Sequence, residues 1–331
     1  MITPQTNITL AEMAEQLKAH SSFAICGHVN PDGDCLGSEL ALAHALKSLG
    51  KSVVCLLAKP EPVPHNLKFL PGSEWLVYPE SCNDAPECFI GVDVPTSDRL
   101  GEAERFLKKA AASFTIDHHA SDTTYAEHVY VDPDSPSASM IVWELICKMA
   151  ARSKESAQCA LTGVVTDTGR FAHQNTTPGA FLAAANMMEQ GADPTIIARE
   201  FFQNRRVQSI RLEQLMFSHM ELRQNGAFAY SWLSNDDFVE CNAVKADAEP
   251  FIDSLRDIEG VQVALILKEN SDGTVRGSLR AKYSTNVAQL ARHYGGGGHV
   301  AAAGFTYKGS LEEAIQEVPN FVISSCFGGE A

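Results

Sequence analysis

Aspartates and histidines recur in this chain in four short settings: His28-Val29-Asn30-Pro31-Asp32-Gly33-Asp34, Gly91-Val92-Asp93, Asp117-His118-His119 and Val165-Thr166-Asp167-Thr168-Gly169-Arg170. A fifth, Gly295-Gly296-Gly297-Gly298-His299, lies far downstream. Carboxylate oxygens together with imidazole nitrogens are ligands for divalent metals, and such a mixture suits Mn²⁺ better than Mg²⁺, which prefers all-oxygen shells. Two ions side by side point to phosphoester hydrolysis. Asp32 and Asp34 stand two apart around Gly33, so in an extended segment both carboxylates face one side. Four aspartates, Asp32, Asp34, Asp93 and Asp167, would neutralise two divalent cations. A lone aspartate after a strand is ordinarily a turn former or a helix N-cap. The joint occurrence is what argues for a metal site.

These residues need a scaffold that gathers them. Residues 22–26, 51–57, 88–92 and 113–116 are short apolar runs that read as strands, and 36–49 and 102–110 between them have helical character. Alternation of this kind implies a parallel sheet covered by helices. Ligands of such sheets lie beyond the carboxyl ends of the strands, where the aspartates and histidines fall. From residue 135 the character turns helical, over 137–149, 156–165 and 178–190. Asp193-Pro194 reads as an N-cap with proline at the first helical position. Helices are expected from 195 toward 202 and from 207 toward 222, and a second set of strands over 227–233, 261–268 and 275–282, with helices over 286–294 and 311–318. The expected architecture is α/β in two domains, a parallel-sheet domain over 1–192 and a smaller α/β domain over 226–331. A helical linker over 193–225 would join them, with the active-site cleft between.

Bulk properties narrow the function. At 331 residues, 45% hydrophobic and 20% charged, the chain has an ordinary globular composition. A net charge of −15 argues against broad duplex binding, which depends on many lysine and arginine contacts to phosphate. Nine cysteines without CxxC spacing read as small buried hydrophobes. No signal peptide is read, and no apolar run reaches the ~18 residues of a membrane span. A cytoplasmic protein with no membrane partner is expected, and the sequence leaves a homodimer open.

The ordered set His28-x-x-Pro31-Asp32-x-Asp34-x-x-Gly37-Ser38, Asp93, Asp117-His118-His119 and Asp167-Thr168-Gly169-Arg170-Phe171 resembles the DHH phosphoesterase family, and Gly-Gly-Gly-His with Ala303-Gly304-Phe305 resembles its C-terminal DHH-associated domain. Within the family the likeness is to the compact bacterial type that acts on short oligoribonucleotides and on 3′-phosphoadenosine-5′-phosphate. The resemblance implies two divalent ions, Mn²⁺ first, with Mg²⁺ or Co²⁺ as alternatives. It assigns His28, Asp32 and Asp93 to one ion, and Asp34, Asp93, His118 and Asp167 to the other, with Asp93 bridging. It implies that His119 reaches the scissile phosphate or the leaving oxygen, and that Asp117 orients the histidines after it. The implied substrates are short single-stranded RNA, linear dinucleotides and adenosine bisphosphate.

At the substrate end, Ser278, Arg280 and Lys282 alternate along one expected strand and so face one side. Arg280 can grip a phosphate bidentately and Lys282 can add a point charge. The backbone N–H groups of a flexible Gly295–Gly298 stretch before His299 can approach an anion closely. Asn286, Gly296, Gly297, Gly298 and His299 complete the expected substrate set. Arg170 either stabilises phosphate charge or pairs with a carboxylate, and Phe171 and Tyr294 either stack a base or pack internally. Asp122 and Asp132 read as solvated loop residues. The competing functions are a phosphodiesterase acting on cyclic dinucleotides, an inorganic pyrophosphatase and, from another class, a nucleotide- or RNA-binding module without catalysis.

Overall fold

The computed structural model describes residues 3–82, 86–120 and 124–328. Asp122 lies outside the described residues. The chain divides into two compact units, Met1–Asn204 and Arg205–Ala331.

The first unit opens with α1 (Leu10–Ala19), started by a capping box in which Thr9 and Glu12 satisfy each other's backbone N–H. Then follow β1 (Ser22–Cys26), α2 (Gly33–Ser48), β2 (Ser52–Leu56), β3 (Leu76–Val77) and β4 (Cys88–Val92). The expected helix over 102–110 is instead a 3₁₀ stretch, Ser97–Ala103, kinked where Gly101 takes a positive φ, followed by the short α3 (Glu104–Leu107). After α3 come β5 (Ala112–Asp117), β6 (His128–Val131), α4 (Ala138–Met149), α5 (Lys154–Asp167) and α6 (Pro178–Glu189). The unit closes with α7 (Pro194–Ile197), capped by Asp193, and a π-helical turn over Ala198–Phe202.

The six strands stand in the order β3-β2-β1-β4-β5-β6, and every pairing is parallel. Strand order reverses between β1 and β4. At such a switch point the connections leave in opposite directions and open a crevice at the carboxyl edge. Both faces of the sheet are covered, which is why β4 reads as an unbroken apolar run, Cys-Phe-Ile-Gly-Val, buried at all five positions. Phe23, Ile25, Ile90 and Phe114 pack on one side against α2, α4 and α5, and Ala24, Cys26 and Phe89 on the other with Leu100 and Phe106. All nine cysteines are free thiols and six are buried.

The second unit begins with α8 (Val207–Ser218). The helix expected to reach 222 stops at Ser218, because Glu221–Arg223 forms a strand, β7, antiparallel to β8 (Phe228–Leu233). Next are α9 (Asn235–Glu240), α10 (Phe251–Arg256), β9 (Val263–Glu269), β10 (Val275–Ala281), α11 (Val287–His293), β11 (Gly297–His299), β12 (Ala302–Tyr307) and α12 (Leu311–Cys326). The last helix continues beyond the expected 318 through Pro319 and keeps Ala314, Val318 and Val322 on one buried face. The sheet order is β11-β12-β10-β9-β8-β7, antiparallel except for β8 beside β9. Among the described residues no helix is long and apolar enough to cross a membrane.

Candidate metal centre

The carboxyl ends of β1, β4 and β5 are neighbours in the sheet, and the residues that follow them meet at the switch point. His28 lies two residues beyond β1, Asp93 immediately beyond β4, and His118 immediately beyond β5. Asp93 adopts the left-handed region at φ 58° and donates its N–H to the Ile116 carbonyl at 2.9 Å, which turns its side chain out of the strand path. Such a conformation in a non-glycine residue is costly and persists where the surroundings impose it.

Asp93 presents one oxygen to each of two neighbours. Its Oδ2 lies 3.4 Å from His28 Nε2 and its Oδ1 lies 3.4 Å from His118 Nε2. Around the first, His28, Asp32 and Asp93 bring ligand atoms within 4.8 Å of one another; around the second, Asp34, His118 and Asp167 do the same. Asp93, His118 and His119 form a further trio of this kind. Asp93 Oδ1 is buried and has no hydrogen-bond partner among the described residues. The imidazoles are oriented to match. His28 Nδ1 sits 2.8 Å from the Val29 carbonyl, and His118 Nδ1 sits 3.3 Å from the Ser135 carbonyl. A carbonyl on Nδ1 fixes the N–H there and leaves Nε2 as the ligating nitrogen. The donor set, its near contacts and the unsatisfied Asp93 oxygen fit divalent cations.

Asp32 and Asp34 reach the site in different ways. Asp32 is the N-cap of α2: its Oδ1 accepts from the N–H groups of Asp34 and Cys35, both at 3.0 Å, and its Oδ2 faces His28 at 3.8 Å. Asp34 lies inside the first turn of α2, where its carboxylate accepts the Ala138 N–H at 2.7 Å and the Ser139 N–H at 2.8 Å. These amides open α4, so the positive end of that helix steadies the charge on Asp34. Close helix packing makes this reach possible. A Cβ on Gly163 of α5 would fall 1.9 Å from Ser139 Oγ and 2.7 Å from Asp34 Oδ1. Asp167, the last residue of α5, lies 3.8 Å from His118 Nε2.

The electrostatics show why this arrangement seeks cations. Burial works against a charge on His28, but Asp93 and Asp32 outweigh it and the imidazole is pushed up to about 9. His118 is raised in the same way against its own burial, with Asp93 the largest favourable influence. Burial pushes Asp34 up to about 7 and carries Asp167 well above the usual carboxylate range, each reinforced by the other aspartates. For Asp93 burial is likewise unfavourable, yet the imidazoles of His118 and His28 hold its carboxyl below the ordinary value. Protons thus occupy positions that metal ions would take, and binding an ion means releasing them.

Asp117 Oδ1 accepts from His119 Nδ1 at 2.8 Å and from the backbone N–H groups of His118 and His119 at 2.8 and 3.3 Å. His119 Nδ1 also lies 3.5 Å from Asp93 Oδ1. Arg170, at φ 62°, is directed elsewhere: its guanidinium carbon lies 4.9 Å from the Phe202 ring centroid. Phe171 stacks on the exposed Phe181 and Tyr294 on the buried Phe305, and each is partly buried against the core of its unit. Asp132 Oδ1 accepts the Asp134 N–H within its loop.

In the second unit the expected substrate residues are engaged in local bonds. Ser278 and Arg280 share one face of β10, and Lys282 follows the strand. Arg280 Nε lies 3.5 Å from Asp253 Oδ1, and Lys282 Nζ donates to the Ile258 carbonyl at 2.9 Å. Asn286 is the N-cap of α11, accepting from Ala288 and Gln289. The glycine stretch is not a free loop. Gly295 and Gly296 donate their N–H groups to the Arg292 and Ala291 carbonyls at the end of α11. Gly297, Gly298 and His299 form the edge strand β11, paired with Gly304, Ala303 and Ala302. Four residues that sequence reasoning left aside also belong to the metal centre's surroundings. Ala138 and Ser139 cradle Asp34, Ser135 orients His118, and Asn175 donates to the Asp167 carbonyl at 3.2 Å.

The DHH family, N-terminal domain, matches residues 22–164, and the DHHA1 domain matches residues 225–324. A Thermus thermophilus protein named bifunctional oligoribonuclease and PAP phosphatase NrnA is 32% identical over 311 residues, covering 92% of this chain and 91% of that protein. A Bacillus subtilis protein of the same name is 24% identical over 298 residues, covering 88% and 91%. Among solved structures, an exopolyphosphatase-related protein from Bacteroides fragilis superposes with a TM-score of 0.88 at 25% identity, over 97% of each chain.

Proposed function

The chain belongs to the DHH family, and from that premise we propose that it is a phosphoesterase using two divalent ions, Mn²⁺ foremost, to hydrolyse short oligoribonucleotides to nucleoside 5′-monophosphates and 3′-phosphoadenosine-5′-phosphate to AMP. The relatives' names support the substrate class. The observation that carries the reading is the placement of Asp93, one oxygen 3.4 Å from His28 and the other 3.4 Å from His118, each with its own further carboxylates.

His28, Asp32 and Asp93 would hold one ion, and Asp34, Asp93, His118 and Asp167 the other. When bound, such a pair acidifies water and neutralises phosphoryl charge. The chain's own residues do the rest. Asp34 is fixed by the α4 amides and Asp32 by its capping bonds, so the donors keep their geometry through turnover. Asp117 fixes the His119 ring through Nδ1, and the imidazolium form can then give the Nε2 proton to the leaving oxygen. One P–O bond forms from water and the P–O3′ bond breaks. One water proton ionises from the new phosphate and the leaving 3′-oxygen gains a proton from His119. In the second unit, Arg280 and the β11 edge are the groups that would bind phosphate.

The test is a substrate panel with Mn²⁺: adenosine 3′,5′-bisphosphate, a linear dinucleotide, a cyclic dinucleotide, a five-residue RNA and pyrophosphate. Turnover of the bisphosphate and the short RNA is expected. Binding without turnover of any member would favour a non-catalytic module, and preference for the cyclic compound would favour a signalling phosphodiesterase.

A further inference from the structure

Arg99 lies beyond Asp93 in the 3₁₀ stretch Ser97–Ala103, which curls back over the ends of β1 and β2. Its carbonyl accepts the N–H of Val29, the residue after His28, at 2.8 Å, and its own N–H donates to Thr96 at 3.1 Å. Two residues on, Gly101 presses so closely on the end of β2 that a Cβ would lie 2.2 Å from the Ala58 carbonyl; Glu102 then donates its N–H to that carbonyl at 3.0 Å. The turn that carries Arg99 is therefore pinned on both sides, next to the first donor set.

The side chain is half-buried, yet among the described residues its guanidinium has no hydrogen bond, ion pair or ring contact. A guanidinium that makes no bond to the described residues has its donors free for an incoming acceptor. It is the more notable beside a centre rich in carboxylates. Its positive charge is felt at the His28 imidazole, where it opposes protonation. Arg170, the other arginine near a metal-site residue in sequence, is turned onto Phe202. A planar fork of donors on a backbone tied to the residue after His28, and unpaired among the described residues, is matched chemically by a phosphate.

Resting on the phosphoesterase reading, we propose that Arg99 is a substrate-binding residue that grips the non-bridging oxygens of the scissile phosphoryl group and of the 5′-phosphate product. Its guanidinium neutralises charge that grows on these oxygens as the P–O3′ bond breaks, and its anchoring by Val29 keeps it in place throughout.

The experiment compares wild type, Arg99→Gln and Arg99→Lys as full-length protein loaded with Mn²⁺. Three quantities are measured: kcat and KM on the linear dinucleotide pApA, whose scissile phosphate becomes the 5′-phosphate of the product AMP, AMP affinity by calorimetry, and Mn²⁺ affinity by electron paramagnetic resonance. Arg99→Gln is expected to lower kcat/KM by about 10²–10³-fold, as removal of a transition-state donor does. AMP affinity is expected to fall by roughly tenfold or more while Mn²⁺ affinity stays unchanged, with partial recovery in Arg99→Lys because charge returns without the fork. The proposal is overturned if Arg99→Gln keeps AMP affinity within a factor of two. It is overturned equally if AMP and Mn²⁺ affinities fall together, since the turn would then merely support His28. Should Arg99→Gln not fold, full AMP affinity in Arg99→Lys overturns the two-pronged grip. If wild type binds AMP but cleaves no phosphoester, the proposed function fails while the AMP comparison still decides Arg99.

Discussion

Asp117 holds His119 by a 2.8 Å bond from Nδ1 to Oδ1, the same oxygen that receives the backbone N–H groups of residues 118 and 119. One carboxylate oxygen thus sets both the ring and the peptide that carries it. Asp117→Asn is expected to lower kcat by roughly 10–100-fold, the usual range for losing a partner that orients a site residue. Mn²⁺ occupancy should stay near the wild-type value. Kinetics paired with metal analysis checks this, and loss of metal would show that the bond supports His118 instead.

Asp93→Asn keeps the side-chain volume but removes the charge and one ligating oxygen between the two donor sets. Both ions should be bound more weakly, and activity should fall by more than the ~100-fold ceiling typical of outer groups. Spin counting of Mn²⁺ per chain together with kcat gives the answer. Retention of two ions with normal turnover would show that Asp93 is not shared.

Gly163→Ala places a methyl group where Ser139 Oγ and Asp34 Oδ1 already stand. Overpacking of this kind costs about 1–3 kcal/mol. Asp34 must also give way, so Mn²⁺ affinity should fall along with the denaturation midpoint. A stability loss with unchanged Mn²⁺ affinity would show that α4 yields rather than Asp34.

Glu39 gives a pH signature independent of the metal centre. It is fully buried on α2, its Oε1 accepts the Leu56 N–H at 3.0 Å, and its Oε2 has no partner among the described residues. Burial raises its carboxyl well above the ordinary value. The unfolded chain therefore releases this proton at lower pH than the folded one. Stability from this group is greatest below the ordinary carboxyl value of about 4.5 and declines as pH rises toward the folded value, by up to about 1.4 kcal/mol per pH unit. Glu39→Gln removes the ionisation, so urea midpoints measured between pH 5 and 8 should fall less steeply than in wild type. Parallel curves would mean that Glu39 is ionised in the fold.

Much of this fold is legible in short apolar runs that end in functional residues. β1 and β4 occupy the stretches expected of them because a buried parallel strand is apolar at every position and stops where its polar ligand begins. The position of Asp93 and His118 just beyond strand ends could be read from the apolar runs before them. Elements without a pattern escaped: β3 has two residues, and β11 is largely glycine, a poor strand former held in place by β12. No glycine or proline separates Ser218 from Leu222, so the pattern of α8 ran past its true end. What could not be read were contacts made across the fold. Ala138 and Ser139 reach Asp34 through backbone N–H groups, which leave no trace in residue type. Arg99 stands in no motif, and its place beside His28 rests on a single carbonyl.

The side chains proposed as donors of the metal centre are spread from His28 to Asp167, and this has a consequence for the chain's birth. Synthesis delivers β1 and β4 first, so the group His28, Asp32 and Asp93 exists early. The group Asp34, His118 and Asp167 waits for the end of α5. A chain halted before that helix carries the first group of donors and lacks the residue that completes the second.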